Sequence, residues 1–592
     1  MTELEYPFDS GLILKKRKRL KRELLASDDN RIKKKIAVLG GSTTSDITSI
    51  LELFLLNVGI EPEFYECEYA QFWQDVMFEN EKLYEFSPDI VYIHTSIRNL
   101  TERVGVKMSE SEVSLQLESE YKRFEEMWEK LKADFGAVII QNNFEQPYFR
   151  ILGNKDASDI HGLTNFVTRL NLKFYEYAER NQSFFINDIN YLSADFGLSK
   201  WSEPKWWYMY KYSLCLDAVP TLCYNVANII KSFLGKNKKA LALDLDNTLW
   251  GGVVGDDGID KIVIGQETAE AEAYYEFQEY IKAQKDIGVL LTVASKNDEE
   301  NALAGLNHSD AALSADDFIS IKANWEPKDV NIKNTADELG LLPESFVFVD
   351  DNPAERMIVS SQLAVQAPPM ESVDSYIKTL DRSGFFEVTS LSADDLKRSE
   401  MYEANAKRNI QRAKFQSYND YLLSLEMTAE IADFKPLDLQ RITQLTNKSN
   451  QFNLTTKRFT QPEIEAVFES GDYIRLCGRL RDKFGDNGIV SVVIGKINGD
   501  TLDIILWLMS CRVLKRDMEY AMLDTLVKKA YDMGIKKIIG YYYPTAKNKM
   551  VATLYKDFGF DEISRDESGN TVWSLVIDSY QPKNKVIDVK EK

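Results

Sequence analysis

The chain has 592 residues, a formal net charge of −21, and 44% hydrophobic and 11% aromatic residues. That length exceeds what one hydrophobic core supports, so three or four folded units are expected, and the composition rules out a disordered or fibrous chain. The negative charge excludes a general nucleic-acid binder, which needs a basic footprint to displace counterions from phosphates.

The opening MTELEYPFDSGLIL is acidic where a signal peptide would be basic. No run reaches the ~20 apolar residues of a membrane span. Cys67, Cys215, Cys223, Cys477 and Cys511 lack the spacing of a disulfide frame or a zinc site. A cytoplasmic protein without a membrane span is expected. KKRKRLKR (15–22) carries seven basic groups in eight positions, read as the solvated face of a helix, with contact to an acidic partner or membrane surface as the alternative.

Further on, IAVLGG (36–41), PDIVYIHTS (88–96) and FGAVIIQNN (135–143) are apolar, β-branched runs separated by helical stretches. That alternation is the signature of a parallel α/β sheet. It resumes after GKNKK (235–239), with ALALDLDNT, GVLLTVASK (288–296) and SFVFVDD (345–351) each ending in polar or charged residues. In open parallel sheets active sites lie at that carboxyl edge. A charged helical stretch (392–415) leads to a third region, where GIVSVVIGKI (488–497), LDIILWLMS (502–510) and a helix near 519–534 predict an α+β unit with short antiparallel strands. The tail QPKNKVIDVKEK is expected to fray.

The chemistry is concentrated at the second group of strand ends. DLDNT (244–248) sets two carboxylates two residues apart on a strand tip. Phosphoryl transfer needs an in-line oxygen nucleophile, an acid for the leaving group and cations for the equatorial oxygens. Asp244 suits the nucleophile, forming an aspartyl phosphate, and Asp246 the general acid and base. Ser295, with Lys296 and Asn297 beside it, is placed to hold a phosphoryl oxygen, a helix N-cap being the plain alternative for Ser295. Lys328 supplies a fixed ammonium. Asp350 and Asp351, with Asp244 and Asp246, form a hard oxygen set suited to Mg²⁺.

LALDLDNTLWGGVVGDDG closely resembles the opening motif of the FkbH-like branch (subfamily IIIC) of the haloacid-dehalogenase (HAD) superfamily. SKND (295–298), WEPKDVNI (325–332) and FVFVDDNPAE (346–355) are similar to its remaining motifs, which implies that Thr248 also faces substrate. NKSNQFNLTTKRFT (447–460), DKFGDNGIVSVV (482–493), MSCRVLKRDME (509–519) and YYPTAKN (542–548) resemble that family's acetyltransferase-like (GNAT-like) region. KWSEPKWWYMYKYSL (200–214) resembles the end of its SGNH-like domain.

The resemblance implies a multi-domain α/β protein. It would comprise a basic helical segment (1–35), an SGNH-like α/β domain (36–232), a Rossmann-like HAD core without a large cap (236–380), a helical connector (381–430), an α+β GNAT-like domain (431–580) and a tail (581–592). It also implies a phosphatase-like reaction on a phosphorylated small molecule, or loading of a phosphoglycerate-derived glyceryl group onto an acyl carrier protein. The short spacings between Asp244, Ser295 and Lys328 leave little room for a lid. Loading needs a thiol, and the position between the motif aspartates is Leu245. Cys511, beside Arg512, remains, with a small buried residue as the plainer reading. A phosphate-binding scaffold without turnover stands as a third alternative.

In the first domain Ser42 fits a hydrolase nucleophile and Asn142 or Asn143 an oxyanion donor, but no histidine follows the Asp188 region, where the base would fall. A binding or docking role is therefore expected there, with Trp201, Trp206 and Trp207 as core or interface. In the last domain the turn RVLKRDMEYA lacks the glycines that let a backbone approach a pyrophosphate. Acetyl transfer is not expected, although Arg512, Lys515 and Arg516 remain candidates for a phosphate. NQFNLTT (450–456) reads either as a substrate contact or as a turn network.

Overall fold

The computed structural model describes residues 1–26, 31–101, 104–412 and 414–591. The chain is a multi-domain α/β protein. It forms two compact units, Met1–Phe233 with Thr460–Glu465, and Leu234–Phe459 with Ala466–Lys592.

The first unit holds a five-stranded parallel sheet of order β2-β1-β3-β4-β5, with β1 Ile32–Gly40, β2 Ile60–Glu66, β3 Ile90–His94, β4 Val138–Asn142 and β5 Phe184–Asn187. Both β3 and β4 are buried along their whole length, as near-continuous apolar runs predict for a sheet covered on both faces. A long helix, Glu110–Phe135, starts on a reciprocal cap between Ser109 and Glu112 and stops at Gly136, whose φ of 57° needs a residue without Cβ. The basic helix Ser10–Ala26 buries Ile13, Leu20 and Leu24. Its cations are partly matched within the unit, Lys21 to Glu52 at 2.7 Å, Arg19 to Glu3 at 2.9 Å and Arg17 to Asp46.

The second unit contains two sheets. The first is parallel, order β8-β7-β6-β9, with β6 Ala240–Leu243, β7 Leu290–Ser295, β8 Ser320–Ala323 and β9 Phe346–Val349. Leu243 lies level with Val293 on one side and Val349 on the other, so the residues after β6 and β9 emerge together at the carboxyl edge.

The second sheet comprises β10 Thr428–Ala432, β11 Phe452–Asn453, β12 Tyr473–Asp482, β13 Gly485–Asn498, β14 Thr501–Met509, β15 Lys537–Tyr542, β16 Asp561–Arg565, β17 Thr571–Val576 and β18 Asp588–Glu591. Its central strands β12, β13 and β14 run 10, 14 and 9 residues, so the expected short strands are long ones. The helix Met518–Asp532 packs on β12 where Gly478 leaves space for the Met518 and Met522 side chains.

The expected frayed tail is also corrected. Residues 588–591 pair in parallel with Thr428–Ile431 of β10. Ile587 is buried, Val586 and Val589 pack on the same core, and the Asp524 carboxylate accepts from the Lys583 and Asn584 amides at 2.9 Å. That apolar and hydrogen-bonded seat offsets the entropy of ordering the segment. The helix Arg398–Arg412 is likewise bound to this sheet, because buried Arg408 grips Asp482 of β12 through two hydrogen bonds of 2.8 and 2.7 Å.

Candidate active site

Four loops at the carboxyl edge of β6-β9 converge. Asp244, directly after β6, is tied to β9 by its amide, which donates to the Val349 carbonyl at 2.9 Å. Lys328 opens the helix Lys328–Leu339, and its Nζ lies 2.9 Å from Asp244 Oδ2 and 2.6 Å from Asp350 Oδ2. Carboxylate oxygens of Asp244, Asp350 and Asp351 lie within 4.8 Å of one another, the one cluster of three or more metal-capable side chains among the described residues.

Three carboxylates against one ammonium leave two negative charges in a largely buried place. Burial, then the neighbouring Asp244 charge, pushes Asp350 up to about 6 against the pull of Lys328. Asp351 is raised by the same two causes. Burial disfavours the Lys328 ammonium, but Asp244 and Asp350 more than offset it and its pKa is raised. A divalent cation would neutralise the remaining charge, and the donor set is all oxygen, so these residues fit a hard cation such as Mg²⁺.

Asp246 does not join that cluster. Its Oδ1 accepts from Trp250 Nε1 at 2.9 Å and the Val254 amide at 3.2 Å, and its Oδ2 accepts from Asn297 Nδ2 at 2.9 Å. Burial raises its pKa, and the Trp250 and Val254 donors pull the other way. Asn297, expected as a substrate contact, is thus occupied in holding Asp246. Trp250 is itself fixed by Gly305, where a Cβ would stand 2.6 Å from the indole ring.

Thr248 is buried and its Oγ1 accepts from the Asp351 amide at 3.2 Å, so it orients the loop after β9. Ser295 ends β7 and is buried at the same edge. The Lys296 ammonium reaches Glu355 at 2.7 Å, bridging the loop after β7 to the helix Pro353–Gln362. Sequence reading missed Arg356, which donates to the carbonyls of Asp350 (2.6 Å) and Asp351 (2.7 Å) and fixes their loop. It also missed Asn247, whose φ of 57° turns the chain between the motif aspartates and Gly252. An Asn in a short turn after a strand was the available signal for that conformation.

Cys511 and Arg512 are not brought to this site. Tyr402 and Lys239 are both electrostatic neighbours of Cys511, and Arg398 is a neighbour of those two residues. Lys239 precedes β6 whereas Asp244 follows it, and five residues of strand span about 16 Å. Arg398 also donates to the Gly288 carbonyl ahead of β7, at 2.8 Å. The thiol therefore lies at the amino edge of the sheet, opposite the carboxylates. Arg512 donates to Ser510 Oγ at 3.2 Å and contacts Met401 Sδ. Arg516 is committed to Asp482 at 3.2 Å and to Asn405 at 2.7 Å. NQFNLTT closes on itself, with Asn453 Oδ1 accepting from the Thr456 amide at 2.9 Å.

Residues 35–231 match the family described as FkbH, N-terminal domain. No curated protein matches the chain. Among solved structures, the N-terminal part of a Bacteroides fragilis protein, described as containing a phosphatase domain and complexed with Mg, is 29% identical. It covers 63% of this chain and 99% of its own, with a TM-score of 0.58. Spermidine N-acetyltransferase from Vibrio cholerae (12% identity, 26% of this chain and 98% of its own, TM-score 0.22) and the PaiA N-acetyltransferase from Thermoplasma acidophilum (16%, 25% and 99%, TM-score 0.19) are further neighbours. Residues 35–231 are thus similar to the FkbH N-terminal domain, and the chain has a structural neighbour that contains a phosphatase domain. No helix among the described residues is long and apolar enough to cross a membrane.

Proposed function

We propose that the second unit is a Mg²⁺-dependent phosphatase of the haloacid-dehalogenase type, acting on a phosphorylated small molecule through an aspartyl phosphate on Asp244. The observation that carries this reading is the Asp244, Lys328, Asp350 and Asp351 arrangement, joined by two Lys328 contacts of 2.9 and 2.6 Å. Asp244, Asp350 and Asp351 would hold the cation, whose charge would spread the negative charge of the transferring group. Asp244 attacks phosphorus, with Lys328 lowering the repulsion between the nucleophile and the phosphoryl oxygens. Asp246, with its pKa raised by burial, gives its proton to the leaving oxygen and then takes one from the water that opens the acyl phosphate. Asn297 and Trp250 aim it. Ser295 Oγ suits a phosphoryl oxygen, and Lys296 the outer part of the substrate.

The test is hydrolysis of a phosphate-ester panel with Mg²⁺, comparing the native chain with Asp244→Asn. Equal rates in the two proteins would reject Asp244 as nucleophile.

A second reading, transfer of a glyceryl group from a phosphorylated glycerate to an acyl carrier protein, is favoured by the FkbH-type N-terminal match. With Cys511 at the far edge of the sheet, the thiol would have to come from the carrier itself. Mass spectrometry of an added carrier protein distinguishes the two, since only transfer leaves it acylated.

A further inference from the structure

Trp325 is 72% exposed, and among the described residues no other tryptophan stands so far into solvent. A single exposed apolar side chain is ordinary on a protein surface. Two features set this one apart, its rigidity and its place. It lies in the loop between β8 and the helix Lys328–Leu339, ahead of the lysine that contacts Asp244 and Asp350.

The loop is braced from within. The Asn324 amide donates to the Ser295 carbonyl at 3.2 Å, tying the end of β8 to the end of β7. Asn324 Oδ1 accepts from the Glu326 amide at 3.0 Å and from Asn331 Nδ2 at 2.8 Å, so the residues on both sides of Trp325 are fixed. The indole is fixed as well, because its Nε1 donates to Asp298 Oδ1 at 2.9 Å. With the N–H committed, what the ring still offers is its apolar faces. A ring already held in place loses little conformational freedom when a ligand covers it.

Asp298 also sets where the ring stands. It follows Asn297, whose Nδ2 donates to Asp246 Oδ2 at 2.9 Å. Two side-chain hydrogen bonds and one peptide link therefore connect the indole to Asp246. In the proposed reaction Asp246 faces the leaving oxygen, so the body of the alcohol departs on its side, toward the loops after β7 and β8. Because the short spacings between Asp244, Ser295 and Lys328 leave little room for a lid, an apolar surface for that body has to come from the loops of the core itself.

We infer that Trp325 is a specificity-determining residue of the phosphatase site, a platform on which the leaving group stacks, and that the preferred substrates are phosphate monoesters with a flat aromatic body. This rests on the function proposed above. The phosphoryl group sits at Asp244 and Lys328, the ester oxygen faces Asp246, and the aromatic body reaches past Asn297 and Asp298 to lie against the indole face in an offset stack. The phosphorus–oxygen bond to the leaving oxygen breaks as the Asp244 oxygen bonds to phosphorus, and the Asp246 proton goes to that leaving oxygen. Trp325 touches no reacting atom. A ring that holds ground state and transition state alike lowers KM and leaves kcat unchanged.

The test uses the full chain with Mg²⁺ and two esters, naphthyl phosphate and glycerol phosphate. Trp325→Ala is expected to raise KM for the naphthyl ester about 10-fold, the range of one aromatic stack, with kcat unchanged and both constants for glycerol phosphate unchanged. Trp325→Phe should restore most of the loss. Calorimetry with naphthylmethylphosphonate, which cannot be hydrolysed, reads the platform apart from turnover. The native chain should bind it about 10-fold more tightly than Trp325→Ala does, and inorganic phosphate should bind the two alike. If neither ester is hydrolysed but the phosphonate difference is seen, the platform stands and the phosphatase reading falls. Equal phosphonate affinity in the two proteins, no phosphonate binding by the native chain, or an equal loss on both esters overturns the platform.

Discussion

The Lys328 ammonium lies 2.9 Å from the Asp244 carboxylate, and the same side chain also grips Asp350 at 2.6 Å. One cation thus holds two carboxylates that would otherwise repel. Lys328→Met is expected to lower kcat/KM for phosphate esters by about 100- to 1000-fold, the usual cost of losing one preorganised charge-stabilising group. A steady-state assay that finds less than a tenfold loss argues against this role.

Because three carboxylates converge on one ammonium, cation binding should stabilise the folded chain. Thermal melting with Mg²⁺ at a hundred times its Kd should gain about 2.7 kcal/mol by mass action. Asp351→Asn should reduce that gain. A melting temperature indifferent to Mg²⁺ would refute the assigned ligand set.

The pH dependence should trace Asp246. As a general acid it must be protonated, so kcat falls as pH rises through its pKa. Trp250 Nε1 hydrogen-bonds the charged form and holds that pKa down. Trp250→Phe is therefore expected to move the alkaline limb of the kcat profile to higher pH. An unmoved limb would mean that another group sets it.

Much of this site was legible in the sequence. Asp244 and the Asp350-Asp351 pair each follow a buried apolar run, and a parallel sheet delivers such residues to its carboxyl edge. Lys328 was legible as the one basic group in the motif between them. Asn297 was assigned to substrate because a polar residue after a strand looks the same whether it faces a ligand or a neighbouring carboxylate. Arg356 was not legible, since its partners are fixed by tertiary packing. The tail was misjudged because its lysines mask the short apolar run of Val586, Ile587 and Val589.

Glu145 gives a separate test in the first unit. Burial pushes its carboxyl up to about 7 from 4.5, with the Ile97 amide and Arg98 pulling the other way. Its contribution is therefore fully present below pH 4.5 and is lost as pH rises through 7. The difference amounts to about 3 kcal/mol at 1.36 kcal/mol per unit. Glu145→Gln should abolish that slope, and parallel stability curves for the two proteins between pH 4.5 and 7 would contradict the assignment.

In the second unit Asp482 is fully buried and binds Arg408 at 2.7 Å and Arg516 at 3.2 Å. Asp482→Ala leaves two guanidinium groups unpaired in the interior and should cost about 3–5 kcal/mol. Urea unfolding measures it, and a change under 1 kcal/mol would indicate that water already reaches those groups.

The helix that begins at Lys328 has a consequence for what the site can admit. Its first residue is a cation at the end where the peptide dipoles already point their positive pole. The two fields add instead of cancelling, so under the proposed function a neutral ester would gain little there, while a phosphate dianion would meet ammonium and helix dipole from one direction. Under that function, discrimination between charged and uncharged esters would be built into the backbone as much as into any side chain.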